Sequence, residues 1–435
     1  MNDVFLVTID ALRHDHFDKM NFPECWNNGF EDFAQFQNCY SNGVATPLSF
    51  PSIHTGYPVE SKGELRTDVP TIAELYDGYT FAITNNPHLR RDRGYGRGFD
   101  SFTRNPKSSS IYNQIRQIAG KSDILTKGHH YFWENISNIT GSSSENVQPD
   151  LTPISNKTVE NILKQLEGSI QSYSGFFWVH LMEPHSPYYP QKVRDKNIET
   201  QYNNQEIKHI NDKVRGAAAR SMGLDKKGKD LPPPTEEEIE FCREMYGKIV
   251  TYIDREIAGF FKELQREDRW EESMIVILAD HGEAFGENGV FLHDWSANPI
   301  NPLIEVPLAV KYPNNKHAGE NYTHPVQTGD LLTTLSEVFE WNVNPPPHTR
   351  PFTDSGHRPI ISKSNNAIRV TTNDGYAIQR NSMIVEKSGD IDQEALTVLR
   401  SSSIPTVESM SGVIPGLTDR EQNELEDRLE YLGYK

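Results

Sequence analysis

Cysteine is scarce. Cys25, Cys39 and Cys242 are the three in 435 residues, and no CxxC pair or other metal-like spacing joins them. This argues against a disulfide framework and against a cysteine-built metal site. Positive charge is also short, with 43 Lys and Arg against 61 Asp and Glu and a formal net charge of -18. Such a balance repels nucleic-acid backbones and anionic membrane surfaces, so no nucleic-acid partner is expected. Long apolar runs are missing too. None approaches the roughly 20 residues of a membrane span, and no integral membrane segment is expected. The opening "MNDVFLVTIDALRHD" lacks a basic start, and Asp10 breaks its apolar run; a signal peptide has neither feature. The expected location is cytoplasmic.

Short apolar runs are what the chain does have. Val4 to Ile9, Tyr79 to Thr84, Phe176 to Leu181 and Met274 to Ala279 are continuous rather than alternating, and Val306 to Val310 follows as a fifth. Continuous runs mark strands buried on both faces, as in a parallel sheet covered by helices. Helical periodicity lies between them. Asn156 to Ser172 carries Ile162, Leu163, Leu166 and Ile170 on one stripe, and Thr235 to Leu264 opens with Thr235 three residues before Glu238, a capping-box pattern. The expected fold is α/β: a mixed, mostly parallel central sheet sandwiched by helices, with a small C-terminal antiparallel subdomain. Residues 1–350 would form the catalytic domain and 351–435 the subdomain. In the latter, "AIRVTTNDGYAIQR" reads as two strands around Asn373-Asp374-Gly375, and Thr418 with Glu421 caps a last helix striped by Leu425, Leu429 and Leu432. Two polar stretches, about 104–150 and 190–234, read as long loops.

Ligands of parallel α/β sheets bind beyond the carboxyl ends of strands. Asp10 ends the first run, His185 follows the third, and Asp280 with His281 ends the fourth. Carboxylates and a neutral imidazole converging there could hold one divalent cation, Zn or Mn for a mixed donor set, Mg or Ca for a mainly oxygen one. Taken singly, Asp10 also reads as a helix N-cap and Asp280-His281-Gly282 as a turn. The stretch "NGVATPLSFPSIHTG", residues 42–56, sets hydroxyls among prolines. Thr46 is the candidate nucleophile, made reactive by coordination and presented by a backbone stiffened by Pro47 and Pro51. By itself the stretch reads more readily as a structural Pro/Ser/Thr turn.

Five blocks occur in order: "VTIDALRHD", "ATPLSFPSIHTGYP", "GYGRGFDSF", "HLMEPHSPYYP" and "LADHGEAFGENG" followed by "EVPLAVKYP". Together they resemble the sulfatase family of the alkaline phosphatase superfamily, over nearly the whole chain. The resemblance implies Thr46 as nucleophile, ten residues before Gly56, with Ser49 as rival. It implies Asp10, Thr46, Asp280 and His281 around the metal, His185 and His293 as catalytic or substrate-binding groups on the ester, and Arg13 facing the anion. Two departures stand out. Sulfatases carry Cys or Ser that is converted to formylglycine, which threonine cannot become, and Phe50 stands where their motif has arginine. The second aspartate usual after the first strand is here Ala11. This pattern is similar to single-metal phosphoglycerol transferases and phosphodiesterases.

The expected activity is a metal-dependent hydrolase or transferase acting on a small-molecule or glycan phosphate or sulfate ester. The alternatives are a phosphoglycerol-transferase-like enzyme and a non-catalytic anion- or glycan-binding relative; a relative of the cofactor-independent phosphoglycerate mutases or of phosphopentomutase would show more metal ligands. Of the other polar residues, His54 and His88 read as surface loop residues, His180 as a satisfied core histidine, and Glu283 and Glu287 as the start of a helix. Tyr188 reads either as a stacking platform for a sugar ring or as loop packing.

Overall fold

The computed structural model describes residues 2–60, 63–103, 159–189, 200–223 and 230–405. The four apolar runs become the centre of an eight-stranded sheet. In chain order its strands are β1 (Val4–Ile9), β2 (Ala34–Phe36), β3 (Tyr79–Thr84), β4 (Ser101–Thr103), β5 (Gly175–Leu181), β6 (Met274–Ala279), β7 (Leu308–Lys311) and β8 (Asn321–Tyr322). Across the sheet they run β8-β2-β7-β6-β1-β5-β3-β4. β1 lies parallel between β5 and β6, and β3 is parallel to β5 and β4. The fifth run enters as β7, antiparallel to both β6 and β2. The sheet is therefore mixed and mostly parallel.

Alternation along each strand divides the apolar side chains between two helical layers. On one face Phe5 stacks on Phe177 at 5.2 Å and meets Phe260 edge-on at 5.5 Å. Phe260 belongs to α5 (Glu236–Arg266), which packs against α1 (Pro23–Asn28) and α3 (Val159–Ile170). On the other face Trp178 lies 5.6 Å from Phe50 of α2 (Thr46–Thr55), and α2 packs against α6 (Asp330–Val338). Phe5 is fully buried, so Phe5→Ala should cost about 3–5 kcal/mol, read as a lower denaturant midpoint. The expected capping box of α5 is present. Thr235 Oγ1 accepts from the Glu238 N–H at 3.3 Å, and the Glu238 carboxylate accepts from the Thr235 N–H at 2.7 Å.

Two expectations change. Within 190–234, read as loop, lies α4 (Asn204–Met222), opened by Asn203 accepting from the N–H groups of Gln205 and Glu206. Its stripe of Ile207, Ile210, Val214 and Ala218 is buried, but the charged residues between them dilute the periodicity. Glu283 and Glu287 do not start an α-helix: Ala284–Phe285 pairs antiparallel with Phe291–Leu292, and Glu287 opens a single 3-10 turn.

Within 351–435, β9 (Ile360–Lys363), β10 (Ile368–Thr371), β11 (Gly375–Arg380) and β12 (Met383–Gly389) form an antiparallel sheet. The Asn373-Asp374 turn joins β10 to β11 as expected. α7 (Gln393–Ser401) covers β10 and β11. The expected helix over 418–432 and the 104–150 stretch lie outside the described residues.

Candidate active site

Strand register brings the two aspartates together. Ile9 of β1 is level with Ala279 of β6, so Asp10 and Asp280, one residue further on, end neighbouring strands side by side. On the other flank Ile9 is level with Leu181, and the Asp10 N–H donates to the Leu181 carbonyl at 2.8 Å. Both carboxyl groups are fully buried. His281 completes the group, with Nε2 at 3.6 Å from Asp10 Oδ1 and 3.6 Å from Asp280 Oδ2.

Thr46 reaches this group through a tightly packed loop. The Ser41 hydroxyl contacts the carbonyl oxygens of Gly43 and Asp280. Asn42 donates to Gln327 and to the Ile361 carbonyl, both at 2.8 Å, and accepts from the Gly329 N–H at 2.8 Å. The Lys363 N–H of β9 donates to the Asn42 carbonyl, and the Val44 N–H to the Lys363 carbonyl. The small sheet thus braces the loop directly. A Cβ at Gly43 would lie 2.4 Å from the Leu48 backbone, so a glycine is needed where the loop folds against its own helix. Thr46 is the first residue of α2. Its Oγ1 lies 3.4 Å from Asp10 Oδ2 and 3.3 Å from His281 Nε2. Ser49, the rival, is a turn on, and its hydroxyl donates to the Thr46 carbonyl at 3.3 Å.

The electrostatics of the cluster follow from burial. Two carboxylates this close in a dry site resist joint ionisation. Burial and the neighbouring Asp10 push the Asp280 carboxyl well above its usual range. Burial works the same way on Asp10, but His185 and the hydrogen bond from His180 outweigh it and hold Asp10 ionised. Burial, then His293, bring His281 down to about 4, so its ring is neutral. Its Nδ1–H donates to the Gly282 carbonyl at 2.8 Å, which leaves the Nε2 lone pair facing the carboxylates. Asp10 Oδ1 and Asp280 Oδ2 are buried without a hydrogen-bond partner. Orphaned acceptors on two adjacent carboxylates, with an imidazole lone pair beside them, suit a divalent cation. Among the described residues Asp10, Asp280 and His281 form a group able to hold one, with their ligand atoms within 4.8 Å of one another. Mixed oxygen and nitrogen donors fit Zn or Mn best.

Several neighbours escaped the sequence. Asn86, two residues past β3, donates to Asp10 Oδ2 at 2.8 Å and to Thr46 Oγ1 at 3.2 Å. The rule that found Asp10 and Asp280 also points to it, but an amide is not an obvious metal ligand. His180 is buried in β5 as expected, yet its Nε2 lies 3.1 Å from Asp10 Oδ2 and its Nδ1 2.9 Å from the Thr8 hydroxyl, which accepts from Trp178 Nε1. Thr8 and His180 are level in the parallel β1–β5 pair, so only pairing reveals the contact. Glu283 is buried and joins His293 Nδ1 at 3.0 Å, while the Tyr188 hydroxyl donates to its other oxygen at 2.9 Å. Tyr188, wholly buried, packs the loop instead of offering a stacking face.

His185 and His293 do come together. Their ring centroids are 4.6 Å apart, and His293 lies 4.7 Å from His281, so three imidazoles line one wall. Arg13 is occupied elsewhere. Its guanidinium binds Asp15 at 2.6 Å, Glu287 at 2.7 Å and the Glu283 carbonyl at 3.0 Å. His54 and His88, read as surface residues, are both buried. His54 packs on Trp178 at 4.3 Å and is pushed down to about 3 by burial.

The chain is 25% identical over 120 residues to the choline-sulfatase of Rhizobium meliloti (strain 1021), and 27% identical over 136 residues to the multifunctional alkaline phosphatase superfamily protein PehA of Trinickia caryophylli. These stretches span 28% and 31% of this chain, but only 22% and 24% of the two relatives. Its fold is similar to that of phosphonate monoester hydrolase from Agrobacterium radiobacter, with a TM-score of 0.58 and 14% identity over 87% of each chain. It is also similar to the C-terminal periplasmic domain of EptC from Escherichia coli, solved in complex with Zn, with a TM-score of 0.53 and 14% identity over 83% of this chain and 90% of that one. Among the described residues no helix is long and apolar enough to cross a membrane. The sulfatase family model matches residues 3–340, and the chain belongs to the sulfatase family.

Proposed function

We propose that the protein is a metal-dependent hydrolase or transferase of phosphate or sulfate esters, with Thr46 as its nucleophile. The observation that carries this reading is the convergence of the Thr46 hydroxyl, two orphaned carboxylate oxygens and the His281 lone pair at the ends of β1 and β6. Family membership supports ester chemistry. A divalent cation bound by Asp10, Asp280, His281 and Thr46 would lower the pKa of the hydroxyl and offset charge on the ester oxygens.

The remaining work falls to the chain. Asp10 Oδ2 accepts the Thr46 hydroxyl hydrogen, and Asn86 holds that hydroxyl in place. Thr46 also opens α2, whose N-terminal dipole favours negative charge on its oxygen. Thr46 Oγ1 forms a bond to phosphorus or sulfur in line as the bond to the leaving oxygen breaks. His185 and His293 bind the ester oxygens, and protonated His293 supplies the proton that the leaving oxygen takes. Water or an acceptor alcohol then attacks the same centre and gives its proton to the now neutral His293, while Thr46 Oγ1 leaves and takes back the hydrogen held by Asp10, so each group returns to its starting state. Threonine cannot become formylglycine, the hydrated aldehyde that eliminates sulfate, so phosphorus is the favoured centre. p-Nitrophenyl phosphate and a bis-p-nitrophenyl phosphodiester, compared with p-nitrophenyl sulfate, test this. The phosphorus esters should turn over faster, and turnover of sulfate alone would refute the preference.

Two variants probe the supporting groups. Burial disfavours a charged His293, but the Glu283 carboxylate overrides this and raises its pKa above the ordinary imidazole value. A raised histidine stays protonated to higher pH, and its donor function is lost as pH climbs through the raised value. Glu283→Gln should therefore move the alkaline limb of the kcat profile to lower pH, whereas an unmoved limb would remove His293 from the proton-donor role. In the tautomer with its hydrogen on Nε2, His180 donates to Asp10 Oδ2, and its Nδ1 accepts from the Thr8 hydroxyl. Loss of such support around a ligand costs about 10–100-fold in metal affinity. His180→Ala should show this in a chelator competition, which reads the metal apart from activity.

A further inference from the structure

We propose that Ser221, in the last turn of α4, is a positioning residue for His293 and acts through Asp294. The inference rests on His293 as the proton donor of the proposed reaction, and it brings into that reaction a helix that supplies none of the metal cluster.

The segment before His293 is strained. Leu292 is level with Ala284 in the antiparallel pair of Ala284–Phe285 with Phe291–Leu292. One step outward, Glu283 and His293 therefore face each other, and their side chains join at 3.0 Å. Leu292 has a φ of 56°, in the left-handed region that crowds the Cβ of any residue other than glycine. A buried leucine stays there only when its surroundings over-determine the backbone. Relaxation toward an ordinary φ would turn the next side chain, His293, away from Glu283.

The ties that oppose this come from two sides. The C-terminal sheet holds the residues beyond: the Trp295 carbonyl accepts from the Asn365 N–H at 2.7 Å, and the Ser296 carbonyl from Arg380 at 3.1 Å. α4 holds the residues nearest the imidazole. It packs against Phe291–Leu292, and the Ser221 hydroxyl donates to Asp294 Oδ2. Asp294 is wholly buried, and its other oxygen accepts from the N–H and the hydroxyl of Ser296, both at 2.7 Å. Ser221 is itself exposed, so its contribution is the hydrogen bond and not core packing. Without that hydroxyl, Asp294 loses its link to α4, and the strained residue two positions earlier loses one of the restraints that keep it there.

The leaving group reads out the position of a proton donor. A phenoxide needs a proton as it departs, and a 2,4-dinitrophenoxide leaves without one. In Ser221→Ala, kcat/KM for phenyl phosphate should fall about tenfold, the size expected for one hydrogen bond, whereas 2,4-dinitrophenyl phosphate should react as in the parent. Ser221→Thr keeps the hydroxyl and should restore the phenyl ester. Equal losses on both esters, no loss on either, or no rescue by threonine would each overturn the proposal. Thermal melts check folding, and Ser221→Cys takes the place of the alanine variant if that one fails to fold. Hydrogen exchange reads the tie apart from turnover. The amides of Ser296 and Ala297, bonded to the Asp294 side chain and carbonyl, should exchange about tenfold faster in Ser221→Ala than in the parent or Ser221→Thr. If the parent hydrolyses neither ester, the ester reading has failed, and unchanged exchange then removes the Ser221 tie as well.

Discussion

Thr46→Ala should abolish ester turnover, lowering kcat by about four orders of magnitude or more, the scale on which loss of a nucleophile is felt. Ser49→Ala should stay close to the parent, because its hydroxyl is turned back onto the Thr46 carbonyl in the first turn of α2. Thr46→Ser keeps the oxygen that lies 3.3 Å from His281 Nε2 and should retain much of the activity. The series separates chemistry from folding, since Thr46 and Ser49 are equally buried in the same helix. Full turnover in Thr46→Ala with loss in Ser49→Ala would reverse the assignment. Mass spectrometry of the quenched reaction gives a second reading, a phosphoryl group on the peptide that carries Thr46.

Removal of the metal should be as severe. A chelator should stop turnover, and one equivalent of Zn or Mn per chain should restore it. Asp280→Ala should lose stoichiometric metal altogether, because it deletes one of the two orphaned carboxylate oxygens. Stability gives an independent readout. A ligand that binds the folded chain alone stabilises it by about 2.7 kcal/mol at a hundredfold excess over Kd, so the parent should melt at higher temperature with metal than without. Asp280→Ala should lose that increment. The metal-free forms are compared separately, because the substitution also leaves the Ala11 and His281 N–H groups without the carboxylate that accepts from them. Metal-dependent stabilisation undiminished in Asp280→Ala would move the ion away from this cluster.

Particular residues show where legibility ended. Asp10, Asp280 and His281 could be picked out because each follows an apolar run at a strand's carboxyl end. Thr46 could be proposed from its proline-stiffened stretch, but the resemblance of the blocks around it was needed to rank it above Ser49 and above a structural turn. His180 is the satisfied core histidine expected, though its partner Asp10 was not foreseen, and Glu283 was misread as a helix start. A histidine inside a strand and a glutamate after a metal block have ordinary explanations, and what sets these two apart is a partner 170 residues away for one and 10 for the other. Arg13 lies three residues past Asp10 in the chain, and which partners its guanidinium takes, Asp15 and Glu287, is seen only in the folded chain.

The order of apolar runs and helical stripes determined, from sequence alone, an α/β sheet with polar residues at its carboxyl edge, because hydrophobic period and strand burial are local properties. Which of those residues meet was decided by register and loop packing. The level pairing of Ile9 with Ala279 sets two aspartates abreast, and the brace from β9 onto Asn42 and Val44 holds the loop that leads to Thr46. Both are contacts between segments far apart in the chain, and their positions are fixed only when the whole sheet closes.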